Sequence, residues 1–269
     1  VHHGESEARE PSAQLVEQGV LISAEKVIDT VQMDEERTRR PFERCKRLGD
    51  SLGNVVHLFE RECSVQRRHQ KLIEESPSPA VSRSQRKKLM DQVTKAVKAI
   101  GYVGVGTLEF LLDRDGRFWF MEMNVRLQVE HAVSEMLTLV DLVKWQIRTA
   151  AGVSLPFSQT GIPMKGAVIE CRINALSPGT VSLLHVPGGP FVRFDTYLVQ
   201  GVAVSPFYDS LVGKLIVYAA TREEALRKMR AALCELVIDG VETNIAEQLR
   251  IISDPRFSSG RYDLTMMEG

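Results

Sequence analysis

No CxxC spacing joins the four cysteines of this 269-residue chain, Cys45, Cys63, Cys171 and Cys234. Scattered in this way they fit reduced structural thiols better than a disulfide frame or a zinc site, and they point to a cytoplasmic protein. No uninterrupted apolar run is long enough to span a bilayer. Neither sign of charge is in excess: 34 Lys and Arg face 35 Asp and Glu, a balance with no general pull toward nucleic acid or membrane. A signal-peptide pattern and internal repeats are missing, and the first residue is Val1 rather than Met, which reads as a fragment. What the chain does have is core-forming substance. At 43% hydrophobic it can bury one large or two small domains.

The pattern of elements is mixed. Residues 1–44 open with the polar VHHGESEAREPSAQ and are expected to be unassigned and poorly ordered. KRLGDSLGNVVHLFERE reads as a hairpin around DSLGN followed by a buried strand. QRRHQKLIEESPSP is a charged stretch ending in two prolines. SRSQRKKLMDQVTKAVKAIGY predicts an amphipathic helix with Leu89, Val93, Ala96, Val97 and Ile100 on one face and Gly101 just past its end. SEMLTLVDLVKWQIRTAAG predicts a second apolar-rich helix. Proline and glycine over 152–166 mark a domain boundary. Beyond it, AVIECRINA, LLHVPGGPFVRFDTYL and KLIVYAA supply strands, and TREEALRKMRAALCELVI a helix capped from Thr221 with Leu226, Met229, Leu233 and Leu236 inward.

The densest chemistry lies in FMEMNVRLQVEH, residues 120–131. Read as a strand, its alternate residues Glu122, Asn124, Arg126, Gln128 and Glu130 share one polar face, with Met123, Val125, Leu127 and Val129 opposite. The plain alternative is a half-buried edge strand facing water. Against it, every polar residue on this face can bind a metal, bind an oxyanion or move a proton, and neither Lys nor Thr occurs. Upstream, GTLEFLLDRDGRFWFMEMN reads as a β-hairpin turning at Asp115-Gly116. A two-residue turn sets Glu109 directly opposite Glu122, and a three-residue loop breaks that pairing. Two facing carboxylates beside an amide oxygen suit a hard divalent cation, which takes one or two carboxylates plus substrate phosphates. The alternative is a surface glutamate pair separated by Arg114 and Arg117.

RECSVQRRHQKLIEESPSP, GTLEFLLDRDGRFWFMEMNVRLQVEH, IECRINA, PGG, FYDSLVGKLIVYAATREEALRKMRAAL and DGVETN occur in the order seen in biotin carboxylases, and residues 46–269 resemble that family. The resemblance implies an α/β (α+β) fold: the C-terminal part of an ATP-grasp domain over 45–156, then a biotin carboxylase C-terminal domain over 162–269. It implies ATP-dependent carboxylation of biotin from bicarbonate through carboxyphosphate, with ATP, Mg²⁺ or Mn²⁺, and biotin on a biotin carboxyl carrier protein. A carboxyltransferase component of an acyl-CoA carboxylase is the implied further partner, and the parent family is often homodimeric. Position by position, Glu109, Glu122 and Asn124 match metal ligands, with Glu109, Glu122, Gln66 and His69 on the ATP side. Arg126 matches the catalytic arginine and Glu130 the base that deprotonates bicarbonate. Lys71, Arg126, Gln128, the Val129 backbone, Glu130 and Arg172 match the bicarbonate and biotin pocket, so Lys71, Arg126, Gln128, Glu130 and Arg172 are expected to converge.

The sequence also departs from the family. No glycine-rich phosphate loop is visible, Phe42 and Arg44 stand where the family has His and Glu, Ala167 replaces a usual His, and the loop after INA is short. The isolated chain is therefore expected to turn over slowly, and the alternative reading is a non-catalytic remnant or scaffold that keeps the fold.

Overall fold

The computed structural model describes residues 42–268, so the expectation for 1–41 lies outside the described residues, and 42–44, expected to be unassigned, instead open a strand because their backbone pairs with neighbouring strands. Its frame is an eight-stranded antiparallel sheet. The first five strands in the chain are β1 (Phe42–Gly49), β2 (Val55–Arg67), β3 (Gln70–Ser76), β4 (Gly104–Leu112) and β5 (Phe118–Asn124). The last three of this sheet are β6 (Ala167–Asn174), β9 (Val192–Thr196) and β11 (Leu211–Ala219). In space they run β5-β4-β1-β2-β3-β6-β11-β9. Pairing of β3 with β6, Ile73 opposite Cys171 and Glu74 opposite Glu170, carries one sheet across the Pro- and Gly-punctuated 152–166 segment. Short pairs β7 (Gly179–Thr180) with β10 (Ala203–Val204) and β8 (Leu183–His185) with β12 (Val237–Asp239) flank it.

Side-chain chemistry sets the turns. Asp50 closes the β1–β2 hairpin by accepting from the Leu52 and Asn54 amides, 3.0 Å each, and also takes the Leu155 amide at 2.8 Å. The charged QRRHQK stretch is a second hairpin: Arg68 and His69 both have positive φ, 49° and 64°, as a two-residue type I′ turn requires. The β4–β5 turn differs from the two-residue expectation. Asp113 and Arg117 pair through Asp113 N to Arg117 O at 2.9 Å, leaving Arg114-Asp115-Gly116 as a three-residue loop with Gly116 at φ 77°. That loop puts Phe110 opposite Phe120, one residue out of step. A bulge at Met121 restores the register, so Glu109 still lies opposite Glu122.

Helix α1 (Arg83–Ala99) starts at a Ser82–Gln85 capping box and buries Leu89, Met90, Val93 and Val97. It ends where Gly101, φ 61°, lets Tyr102 N reach Val97 O. The apolar run after Glu130 forms two helices instead of one. Helix α2 (His131–Thr138) stops at Leu139 with φ 59°, and α3 (Leu142–Ala150) restarts with the Asp141 side chain capping Lys144 N at 2.8 Å. Helix α4 (Arg222–Glu235) is capped by Thr221 and buries Leu226, Met229 and Leu233. The remaining helices are α5 (Ile245–Ser253) and α6 (Pro255–Ser258).

The two faces of the sheet carry different loads. On one, α1 packs on Cys45, Leu108 and Phe110, and α4 packs on Ile73, Ile169, Cys171 and Leu215. On the other, α3 covers Leu48, Leu58 and Val105, and α2 covers Val168 and Ile216. Between them, that second face holds a band of buried charge. No helix among the described residues is long and apolar enough to cross a membrane, and the four cysteines are free.

Candidate active site

The band begins as a row across four strands. Glu122 on β5 lies opposite Glu109 on β4, Glu109 opposite Arg44 on β1, and Arg44 opposite Arg61 on β2. Side chains directly opposite across a ladder share a face, so register alone gathers these four charges. The repulsion expected between the two glutamates is relieved by Asn124, whose amide nitrogen donates to Glu109 Oε1 and Glu122 Oε1, 2.7 Å each. Glu109 takes two further donors: Gln128 Nε2 at 2.8 Å on Oε1 and Arg44 at 2.6 Å on Oε2. Burial pushes the Glu109 pKa up despite the opposing pull of Arg44, Lys71 and Gln128.

The alternating-face reading of 122–130 does not survive in the structure. β5 ends at Asn124, and 125–130 is an irregular segment closing in a turn before α2. The sheet edge is left behind, and the chain folds back over the charged face. Gln128 and Glu130 point inward, 3% and 1% exposed, whereas Arg126 is exposed and its guanidinium donates to Leu127 O at 3.3 Å. Gln128 is locked between Glu109 and Arg61, which donates to its Oε1 at 3.0 Å while also reaching Ser134 at 2.7 Å.

Glu130 is the hub. Arg172 binds it at 3.0 Å, Lys71 lies at 3.5 Å, and Arg44 donates to it with the guanidinium nitrogen not used on Glu109. Burial works against its charge, but Lys71, Arg61, Arg44 and Arg172 outweigh burial and hold its carboxyl far below the usual range. Arg172 is steadied by Glu74, Nε to Oε1 2.7 Å. Lys214, opposite Arg172 on β11, donates to Val129 O at 2.9 Å and pins the irregular segment down. Arg193 on β9 ties to Glu135 on α2 at 2.8 Å.

Of the predicted residues, Lys71, Gln128, Glu130 and Arg172 thus surround one buried charged centre contiguous with Glu109, Glu122 and Asn124. Arg126 is not buried in it and stands at its rim. Gln66 is half-buried opposite Lys71, and His69 is exposed at the hairpin tip. The sequence reading missed Arg44, Lys46, Arg61, Glu74 and Lys214 as members of this face. Lys46 donates to Thr107 Oγ1 at 3.0 Å, one step along the ladder from Arg44. Parity along β1 could have found the Arg44 and Lys46 pair once β1 was recognised as a strand. For Glu74 and Lys214 no local signal existed.

The arrangement does not fit a divalent cation as it stands. The two oxygens of Glu109 take three N–H donors, one of them a guanidinium. An amide nitrogen, rather than an oxygen, points between the two carboxylates. Nor does any group of three or more His, Cys, Asp or Glu among the described residues stand ready to hold a metal.

Comparison with known proteins fits this architecture. Residues 39–158 match the family model of the carbamoyl-phosphate synthase L chain, ATP binding domain, and residues 170–269 match that of the biotin carboxylase C-terminal domain. The class is therefore an ATP-grasp domain joined to a biotin carboxylase C-terminal domain. Biotin carboxylase 1 of Bacillus subtilis is 46% identical over 230 residues, 82% of this chain and 51% of its own. Biotin carboxylase of Haemophilus influenzae is 48% identical over 228 residues, again 82% and 51%. Among solved structures, the biotin carboxylase domain dimer of Hydrogenobacter thermophilus 2-oxoglutarate carboxylase, in complex with MgADP, ADP and bicarbonate, superposes with TM-score 0.83 at 45% identity. It matches 85% of this chain and 52% of its own. Campylobacter jejuni biotin carboxylase, in complex with βγ-ATP, gives 0.84 at 43%, covering 86% of this chain and 53% of its own. The chain belongs to the biotin carboxylase family, and it spans about half the length of the curated relatives it matches.

Proposed function

We propose that this chain forms the bicarbonate- and biotin-side part of a biotin carboxylase, an ATP-dependent carbon–nitrogen ligase. The single observation that carries the reading is Glu130, a buried carboxylate held by Lys71 and Arg172 beside the Val129 backbone and Gln128. Lys71 on β3 and Arg172 on β6, far apart in the chain but on paired strands, converge on the spot where a small oxyanion would have to be held. Glu130 is ionised there and is a proton acceptor. Its basicity is low while it alone uses the cations. An anion that takes over part of the Lys71 and Arg172 pairing raises that basicity toward what a general base needs. Arg126, exposed at the rim, is free to meet the enolate-like oxygen that develops on biotin when its ureido nitrogen is deprotonated, and a donor aimed there acts on the transition state.

On the same reading Glu109, Glu122 and Asn124 form the metal and ATP end, with Gln66 and His69 toward the nucleotide. The proposed partners are a biotin carboxyl carrier protein and the carboxyltransferase component of an acyl-CoA carboxylase.

The test is phosphate release from ATP with bicarbonate, free biotin and Mg²⁺. It is run on the chain alone and on the chain joined to the remaining half of the Bacillus subtilis relative. Little turnover is expected from the first and biotin-dependent turnover from the second. In the joined protein, Arg126→Ala lowers kcat by about 10²–10³. Its melting temperature stays put, because among the described residues the side chain bonds only to Leu127 O. Unchanged biotin-dependent turnover in Arg126→Ala removes the role given to Arg126. No biotin-dependent turnover in the joined protein removes the function.

A further inference from the structure

We propose that Arg44 is the resident cation of this site: it supplies the positive charge that a divalent cation would bring to Glu109, and such a cation binds there only when Arg44 is displaced. The inference rests on the reading of Glu109 and Glu122 as the metal end, and it adds a residue that decides whether that end is open.

The geometry is specific. The ladder places Arg44 directly beside Glu109, and its two terminal nitrogens divide between Glu109 and Glu130. All three side chains are nearly shut off from solvent, Arg44 at 8%, Glu109 at 2% and Glu130 at 1%. A planar guanidinium can serve two carboxylates at once in a way a point charge cannot.

The two carboxylates depend on it unequally. Without Arg44, Glu130 still has Lys71 and Arg172. Glu109 has Arg44 as its one ion pair among the described residues, and without it the Asn124 and Gln128 amides and the more distant charge of Lys71 would remain. Removal of Arg44 therefore leaves Glu109 one positive charge short in a place where water cannot make up the difference. A divalent cation restores the balance. With Arg44 in position, the same cation meets a guanidinium at contact distance in a buried setting, where like charges repel strongly. Asn124 is poised for either state, because turning its amide over replaces the nitrogen aimed at both carboxylates with an oxygen.

The experiment uses the full 269-residue chain and Mn²⁺ alone, with no nucleotide, read by electron paramagnetic resonance of free Mn²⁺ and by thermal unfolding followed by circular dichroism. Arg44→Gln is expected to bind Mn²⁺ more tightly than the unaltered chain by a factor on the order of a hundred. Mn²⁺ is expected to raise the melting temperature of Arg44→Gln and leave that of the unaltered chain where it was. Adding Glu109→Gln to Arg44→Gln removes both gains. Arg44→Lys, which keeps one charge but cannot span both carboxylates, falls between. Where Arg44→Gln is unfolded without metal, Mn²⁺ restores its circular dichroism signal. Equal Mn²⁺ affinity with and without Arg44 overturns the proposal, as does an Arg44→Gln chain that stays unfolded at saturating Mn²⁺. Absence of Mn²⁺ binding in every variant overturns it together with the metal reading of Glu109 and Glu122. The bicarbonate and biotin reading is judged separately, by the phosphate-release assay.

Discussion

β1 and β11 are both interior strands of the same sheet, each with a neighbour on either side, and they are buried by opposite means. β11 buries Val212, Leu215, Ile216, Val217 and Ala219, and its one charged side chain, Lys214, reaches out to Val129 O and Asp195. β1 buries Glu43, Arg44, Lys46 and Arg47, none more than 8% exposed. Glu43 relies on the Ser78 hydroxyl, Lys46 on Thr107, and Arg47 on the Lys46 carbonyl oxygen at 3.0 Å and the backbone oxygen and sulfur of Met90. Arg44 alone among them has full counter-charges. The difference teaches that interior position and apolar character are separable. One strand is held by area removed from water, with little dependence on pH. The other is held by geometry that must offset a desolvation cost, and its stability moves with protonation.

The largest effect should come from β11. Leu215 is fully buried, and Leu215→Ala is expected to lose about 2–5 kcal/mol in urea unfolding, with a similar loss at every pH between 6 and 9. A loss confined to one end of that range would break the contrast. On β1 the sign should reverse. Burial pushes the Arg47 guanidinium down to about 10, with Glu60 pulling the other way, so it is still charged at neutral pH while its hydrogen bonds go to a thioether and carbonyls rather than to a carboxylate. Arg47→Met, close in volume and next to Met90, is expected to gain about 1–4 kcal/mol by the same measurement. Destabilisation instead would mean that the Arg47 hydrogen bonds outweigh its burial.

The smallest effect is a slope. Burial, with Arg61, Arg126 and Arg44 nearby, pushes the Lys46 pKa down to about 6 despite Glu130. Between that value and the ordinary lysine value near ~10.4, the unfolded chain holds a proton that the folded chain has released. Stability contributed at this site therefore rises with pH across the window, and the full cost of burying the ammonium is present below it. Lys46→Met should flatten melting temperature against pH from about 6 to 9 relative to the unaltered chain. An unchanged profile would show that Lys46 stays charged when folded.

Legibility followed the range of the interactions. The Glu109–Glu122 pairing was readable because a hairpin is local, and it held even though the turn was misjudged: the three-residue loop around Gly116 and the bulge at Met121 are two one-residue shifts that cancel. The Arg126–Glu130 part of the polar face was misjudged because alternation in sequence persists after the strand has ended. Past Asn124 no neighbouring strand holds the backbone extended. The split of one apolar run into α2 and α3 was hidden in the same way, since Leu139 carries no glycine-like signal for its left-handed conformation.

By itself the sequence determined the family motifs, the principal strands and helices, and most of the acids and amides proposed for the site, because these depend on residue type and on spacing within one element. Only the tertiary structure decided that Glu130 is the hub while Arg126 stands at the rim. It alone decided that Arg172 on β6, steadied by Glu74 on β3, reaches Glu130. It also decided that Arg44 lies between two carboxylates 65 and 86 residues away. The physical reason is that register across strands far apart in the chain, and the desolvation that gives each charge its weight, exist only once the sheet has closed.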